Sequence, residues 1–241
     1  MTTDDPFTNP PAAPTQNLRA APPPMPVYPP AFPIGGAPPA KPSGVATAAI
    51  VLTGAYLLAS LLTALRSQAT VDNLRETLGG GSDAATLDVG STLVGLLGLV
   101  VGIGAFVCLA LWMSRIRANR TQLGRAPGGP PAVEWWGWFI PIANFVLPAL
   151  GMRAITRGIV GAGRLMGWWL PFCATFLLSA ASSTLQFSAV DVATGAVKDL
   201  DALDSIVTLS WASALLLLTS WLFLVTIIRR TTERHLEVAS A

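Results

Sequence analysis

The side chains best suited to binding a charged ligand lie between residues 114 and 165. Seven of the fifteen Lys and Arg residues fall in this segment. Near an anionic membrane surface each basic side chain contributes about 1 kcal/mol, so the cluster could recruit anionic lipid headgroups. Alternatively, these residues only set the orientation of the chain in a membrane. They are Arg115, Arg117, Arg120, Arg125, Arg153, Arg157 and Arg164.

A second candidate group lies in residues 133–151, VEWWGWFIPIANFVLPALG, which combine three Trp with two Pro and one Asn. A proline leaves a backbone carbonyl without its helical partner, and an Asn amide can satisfy that carbonyl or bind a headgroup or ligand. The alternative is that the Asn only caps a broken helix. The candidate residues are Trp138, Pro141, Asn144 and Pro148.

Residues that support catalysis or metal binding are scarce. His235 is the only histidine, and without a Cys or acid cluster nearby it predicts neither a zinc site nor a Ser-His-Asp arrangement. Cys108 and Cys173 fall in apolar runs, where a thiol behaves as a small hydrophobe. We therefore expect a protein that is not an enzyme and that has no cofactor and no metal.

The elements that position these groups are four uncharged runs, at 44–65, 91–113, 166–187 and 206–228. Each reaches the roughly 20 residues that a helix needs to cross a bilayer. The chain is 52% hydrophobic and only 12% charged, which excludes an ordinary soluble domain. These features predict an all-α integral membrane protein with four transmembrane helices. Because the runs hold no Asp, Glu, Lys, Arg or His, a proton-coupled transporter is disfavoured.

The charges predict the orientation of the spans. Residues 1–43, 114–165 and 229–241 carry twelve of the fifteen Lys and Arg, whereas the loops 66–90 and 188–205 carry eight of the thirteen acids. Since basic residues mark the cytoplasmic face, both termini should be cytoplasmic and the protein should lie in the cell membrane. The net charge of +2 is too small to indicate nucleic-acid binding.

The segment 114–165 is too long for a simple turn between spans. Its arginines should prolong the second helix until the Pro- and Gly-rich stretch 125–131 breaks it. We expect 133–151 to be an interfacial or shallow re-entrant segment, and 152–164 to form an amphipathic helix on the same leaflet. A fifth span at 133–151 is the alternative, although it would place arginines on both sides and two prolines in lipid.

Two further features have local explanations. Gly98 and Gly102 form a GxxxG pair, which should pack the helices of the bundle or else support self-association. Residues 1–43 hold 14 of the 20 prolines and should form a disordered cytoplasmic tail, with PxxP spacings that either dock on a partner or only solubilise the chain. The predicted domains are thus 1–43, a transmembrane domain 44–230 and a C-terminal cytoplasmic tail 231–241.

The run LWMSRIRANRTQLG, followed by WWGWFIPIANFVLP and then GWW, resembles a bacterial family of multi-pass membrane proteins known as domain of unknown function 4328. That family shares a basic helix with an Arg…Asn pattern, matched here by Arg117 and Asn119, and a Trp-Pro-Asn-Pro box. The box residues that match are Trp138, Pro141, Asn144 and Pro148. The resemblance covers roughly residues 50–230 and implies membership of the family but no activity.

The leading hypothesis is a non-enzymatic interaction, scaffold or regulatory subunit whose segment 114–165 contacts anionic lipids or a partner protein. The alternative is a channel- or transporter-like protein for a small solute, with the break between Pro141 and Pro148 as its gate. Two features favour the scaffold or regulatory hypothesis: the sequence shows no catalytic groups, and its spans are uncharged.

Overall fold

The computed structural model describes residues 41–78, 89–125, 127–140, 142–189 and 200–240. Contacts divide the chain into Met1–Gly36 and Ala37–Ala241, and all described residues belong to the second unit. The tail predicted at 1–43 therefore lies almost wholly outside the described residues, as does Pro141. Regular structure in the described ranges is helical: α1 (Ser43–Leu78), α2 (Val89–Gln122), α3 (Val133–Trp136), α4 (Leu147–Thr156), α5 (Ala162–Ala189) and α6 (Leu200–Ser240), with a 3-10 turn at Ala143–Phe145.

Four of these helices, α1, α2, α5 and α6, are long and apolar enough to cross a membrane, and each contains one of the four apolar runs. In the 18-residue apolar stretch of each helix, only 17% to 33% is buried inside the protein. Leu97 and Val100 on α2, for example, are 59% and 67% exposed. Apolar surface of this extent is unstable in water, so these helices have the character of membrane spans.

Helices α1, α2 and α6 extend well beyond the apolar runs that they contain. Helix α1 continues from residue 65 to Leu78, and α6 continues through most of the predicted C-terminal tail, to Ser240. Neither extension contains Gly or Pro, so nothing in it interrupts helical hydrogen bonding. With 36 residues, α1 is about 54 Å long, against a hydrocarbon layer of about 30 Å.

The main helix contacts join α1 with α2, α1 with α6, and α6 with α5. The helices therefore follow the order α2, α1, α6, α5 around the bundle. Gly98 and Gly102 of α2 both face α1: a Cβ on Gly98 would lie 3.6 Å from Cβ of Ala59, and one on Gly102 would lie 3.2 Å from the ring of Tyr56. The small residues thus permit close approach of two helices in the same chain.

At one end of the bundle the segment 123–161, here called the cap, packs across the helices. Its α4 and the adjoining ends of α1, α2, α5 and α6 share the largest buried core. The bulky members of this core combine indole rings from α2 and α5 with aliphatic side chains from α2, α6 and the cap helix α4. They are Trp112, Met113, Ile116, Met152, Ile155, Trp168, Ile227 and Ile228.

The cap differs in detail from the expected arrangement. The amphipathic helix predicted at 152–164 is instead α4, which begins at Leu147 with Pro148 in its first turn and ends at Thr156. Proline is accepted in a first helical turn, and Gly158 follows the helix with φ +81°, a conformation that stops it. The described part of residues 133–151 contains α3, a 3-10 turn and half of α4, so it forms no continuous spanning helix.

Candidate functional site

Glu134, the only charged residue of the Trp-rich stretch, attaches the cap to α2. Its carboxylate accepts hydrogen bonds from Oγ of Ser114 and Nε of Arg117, both at 3.1 Å. Nε1 of Trp135 in turn donates to Oγ of Ser114 over 2.9 Å. The side chains of Arg117 and Glu134 are only 15% and 4% exposed, so this is a buried ion pair.

Arg120 makes a second attachment one turn further along α2. Its Nη1 donates to the backbone oxygens of Ile155 and Arg157, at 3.0 and 3.1 Å. These carbonyls belong to the C-terminal end of α4, where helical acceptors lack internal partners and the helix dipole is negative. Arg120 therefore positions α4 while keeping a positive charge that no carboxylate of the described residues pairs with.

Trp138 bridges α2 and α5 at the centre of an aromatic cluster. Its ring lies 6.0 Å from Phe106 on α2, and 5.9 Å from both Trp169 and Phe172 on α5, measured between centroids. Its Nε1 donates to the backbone oxygen of Glu134 over 3.1 Å. The indole is thus a structural link between spans as well as a candidate site residue.

The other residues of the Trp-Pro-Asn-Pro box are not gathered around one point. Pro148 is buried in the first turn of α4, and Pro141 lies outside the described residues. Asn144 lies in the 3-10 turn, where its backbone N–H donates to Ile140 over 2.7 Å. Its side chain caps neither this turn nor α4, and its Oδ1 is buried without a hydrogen-bond partner. The capping interpretation of Asn144 was therefore wrong.

A cavity of the cap, of about 930 Å³, is bordered by α2, α4, the chain between them and the start of α5. Its described lining contains four arginines and no acidic residue. The arginines that line the cavity are Arg120, Arg125, Arg153 and Arg157.

The structure separates the predicted headgroup arginines into two groups. Arg120, Arg153 and Arg157 line the cavity, whereas Arg115, Arg117 and Arg164 do not. Arg117 is engaged by Glu134, so its charge is already balanced inside the protein. Arg115 is exposed on the outer side of α2 and Arg164 is half-buried on α5. Position in the folded cap thus distinguishes residues that look equivalent in sequence.

A second cavity, of about 610 Å³, lies among α2, α1, α6 and α5, with Trp138 and Phe139 of the cap at one end. The hydroxyls of Thr53, Thr63 and Ser220 in its lining each donate to a backbone carbonyl of a helix. Because these groups are already bonded, the cavity presents mainly hydrocarbon and aromatic surface. Its volume falls in the range of small-molecule sites, roughly 300–1,000 Å³.

Sequence reasoning missed Ser114 and Glu134. The available signal was that Glu134 is a lone acid within an apolar, Trp-rich stretch, since a buried carboxylate needs a cationic or hydrogen-bonding partner. Nothing in the spacing identified Arg117, rather than any of the other arginines, as that partner. No group of His, Cys, Asp and Glu suited to a metal ion occurs among the described residues.

Four membrane-capable helices, joined at one end by a folded cap with a basic cavity, define the class as a multi-pass, all-helical membrane protein. The chain belongs to the family described as "Domain of unknown function (DUF4328)", whose model matches residues 75–233. This match confirms the resemblance noted in the sequence. No curated protein and no solved structure is significantly similar to the chain.

Proposed function

We propose that this chain is a non-enzymatic scaffold or regulatory subunit of the cell membrane, and that its cap contacts anionic lipids or a partner protein. The observation that carries the proposal is the convergence of Arg120, Arg153 and Arg157 on one cavity whose described lining has no acid. Like charges are held together at a cost, which a bound anionic group offsets.

The charge distribution supports a cytoplasmic position for the cap. It lies at the same end of the bundle as Arg229, Arg230 and Arg234 of α6. Asp72, Glu76 and Asp204 lie at the opposite end, where Arg75 pairs with Asp204 at 2.6 Å. Basic residues favour the cytoplasmic side, and the cytoplasmic leaflet carries the anionic lipids. The arginine cavity would then face a surface of opposite charge.

The cap also has the apolar surface that an interaction module needs. Phe139 and Ile142 are 73% and 87% exposed, and Val146 is 52% exposed. Exposed apolar groups on a segment that also carries arginines suit the boundary between headgroups and acyl chains, or a contact with another protein. The buried pair of Arg117 and Glu134 holds this surface in one arrangement against α2.

Site-specific photo-crosslinking tests the proposal. A photoreactive amino acid at Phe139 or Ile142 should give a recurrent adduct with one protein or with anionic lipid headgroups in native membranes. The matched control is Phe187, which is 77% exposed near the far end of α5 and should not give that adduct. The proposal is wrong if cap and control positions give the same adducts, or if purified protein shows turnover that is lost on replacing Trp138 or Asn144.

The cavity among the four spans favours a second candidate, a channel- or transporter-like protein. Its bonded hydroxyls and aromatic end at Trp138 suit a small apolar solute rather than an ion. Uptake of a small apolar dye into proteoliposomes should then change on Trp138→Ala, which removes the ring between α2 and α5, and on Asn144→Ala. Equal uptake by protein-containing and empty liposomes would contradict this candidate and leave the scaffold proposal intact.

A further inference from the structure

We propose that the basic cavity of the cap is a phosphate-binding site, in which Arg125, Arg153 and Arg157 contact the phosphate while Arg120 positions the wall that carries Arg157. This inference deepens the proposed function by naming the chemistry that the cap recognises. It rests on that function only for the source of the phosphate, which is either a lipid headgroup or a soluble phosphate compound.

Charge is the first observation behind this site. Four guanidinium groups line one cavity, and none of the ion pairs among the described residues involves any of them. The hydrogen bonds of Arg120 go to backbone carbonyls, which carry no net charge. Arg125, Arg153 and Arg157 are exposed at this cavity, so their guanidinium groups are open to an anion from outside, and no described residue supplies one.

The choice of phosphate follows from the number and type of donors. A guanidinium presents a planar fork of N–H groups that matches two oxygens of one anion. A single carboxylate is satisfied by one such fork, whereas a phosphate has peripheral oxygens left for a second and third. The cavity supplies several forks, from α2 and its C-terminal turn and from α4 and the residue that follows it.

The walls leave room for such a group. Gly124, Gly128, Gly129 and Gly158 all border the cavity, and a Cβ added at any of them would meet no atom within 4 Å. Helix α5 begins at the rim, since Ala162 is part of the lining. The free N–H groups of a first helical turn favour an anion nearby, which adds to the arginine field.

The test compares two double variants that remove the same charge from the full-length protein. Arg153→Gln with Arg157→Gln removes two lining arginines, whereas Arg115→Gln with Arg164→Gln removes two that lie outside the cavity. Native mass spectrometry of detergent-purified protein measures bound phosphatidylglycerol against phosphatidylcholine. We expect the lining variant to bind phosphatidylglycerol about 10-fold less and the control about as well as the unmodified protein.

Two added measurements identify the source of the phosphate and exclude misfolding of the variants. Excess inorganic phosphate displaces phosphatidylglycerol if the site accepts free phosphate. It leaves phosphatidylglycerol bound if the site is specific for a lipid headgroup. Either result supports phosphate recognition. Both variants should keep the unmodified thermal midpoint by tryptophan fluorescence. If the lining variant unfolds, Arg157→Lys alone provides the comparison, because it keeps the charge but removes the planar fork.

Equal losses in the two double variants would overturn the site, since charge alone would then explain binding. So would unchanged phosphatidylglycerol binding in both. In either case, cap-specific adducts at Phe139 and Ile142 would leave the scaffold function standing. The opposite outcome is that the adducts at Phe139 and Ile142 are absent while only the lining variant loses phosphatidylglycerol. That outcome would contradict the scaffold function and support the phosphate site.

Discussion

Ser114, Arg117 and Arg120 follow one another at three-residue intervals on α2, and all three bind the cap. Side chains at that spacing lie on neighbouring positions of one helix face, so the polar end of α2 acts as a row of attachment points. The central contact is the buried ion pair of Arg117 and Glu134. Removing either partner would leave the other as an unpaired charge in a poorly solvated position, which costs folding free energy.

Glu134→Gln tests this ion pair. The substitution keeps the side-chain shape but leaves Arg117 buried without a counter-charge, so we expect a loss of about 3 kcal/mol in unfolding free energy. The measurement is the thermal or denaturant midpoint of the detergent-solubilised protein, followed by tryptophan fluorescence. Glu237→Gln is the matched control, because its pair with Arg234 is 64–70% exposed and worth at most about 1 kcal/mol.

Equal midpoints for these two variants would show that the carboxylate of Glu134 does not hold the cap. At this scale the sequence identified the basic cluster and the candidate box but not the roles of their members. Which arginine meets Glu134, and which ones share a cavity, depends on how residues 123–161 fold back across the helices. That path depends on how Met152 and Ile155 of α4 pack in one core with Trp112 of α2, and local spacing does not specify it.

Among the elements, apolar runs predicted the number and place of the four long helices but not their ends. Hydropathy marks the part of a helix that contacts lipid, whereas helical hydrogen bonding continues until Gly, Pro or tertiary packing stops it. This explains why α1 reaches Leu78 and α6 reaches Ser240. In the same way, Pro148 and Gly158 set the bounds of α4 more closely than its amphipathic pattern did.

Two glycines of α5 test how closely it packs on α6. A Cβ on Gly167 would lie 2.8 Å from the ring of Phe223, whereas one on Gly163 would meet nothing within 4 Å. Gly167→Ala should therefore lower the unfolding free energy by about 1–3 kcal/mol through overpacking. Gly163→Ala should raise it by up to about 1 kcal/mol through helix propensity. Thermal midpoints measure both, and a loss for Gly163→Ala at least as large as for Gly167→Ala would contradict the packing.

For the whole molecule, the outward-facing leucines and valines of the spans and the inward-facing core at the cap end point to lipid as the surrounding medium. Composition predicted this class without any fold information, and the orientation that the charges predict stays a prediction. Composition and charge could not predict the helix order in the bundle, because four uncharged runs of similar length carry no pattern that specifies neighbours.

Cysteine labelling tests the orientation. In a background with Cys108 and Cys173 replaced, Gly128→Cys in the cap should react with a membrane-impermeant reagent only after the cytoplasmic side is opened. Ser82→Cys and Ala196→Cys, in the acidic loops of the sequence, should react in intact cells. Labelling of all three from one side would refute the arrangement. Recovery of the protein in the supernatant of a detergent-free lysate would refute the membrane assignment itself.

The pairing of α1 with α6 has a consequence for biosynthesis. During translation the first span emerges long before the last one, yet a large part of its contact surface is formed with that last span. While only α1, α2 and α5 have emerged from the ribosome, α1 and α5 lack α6, the helix that lies between them. A chain truncated before α6 should consequently be a substrate for membrane quality control rather than a smaller stable bundle.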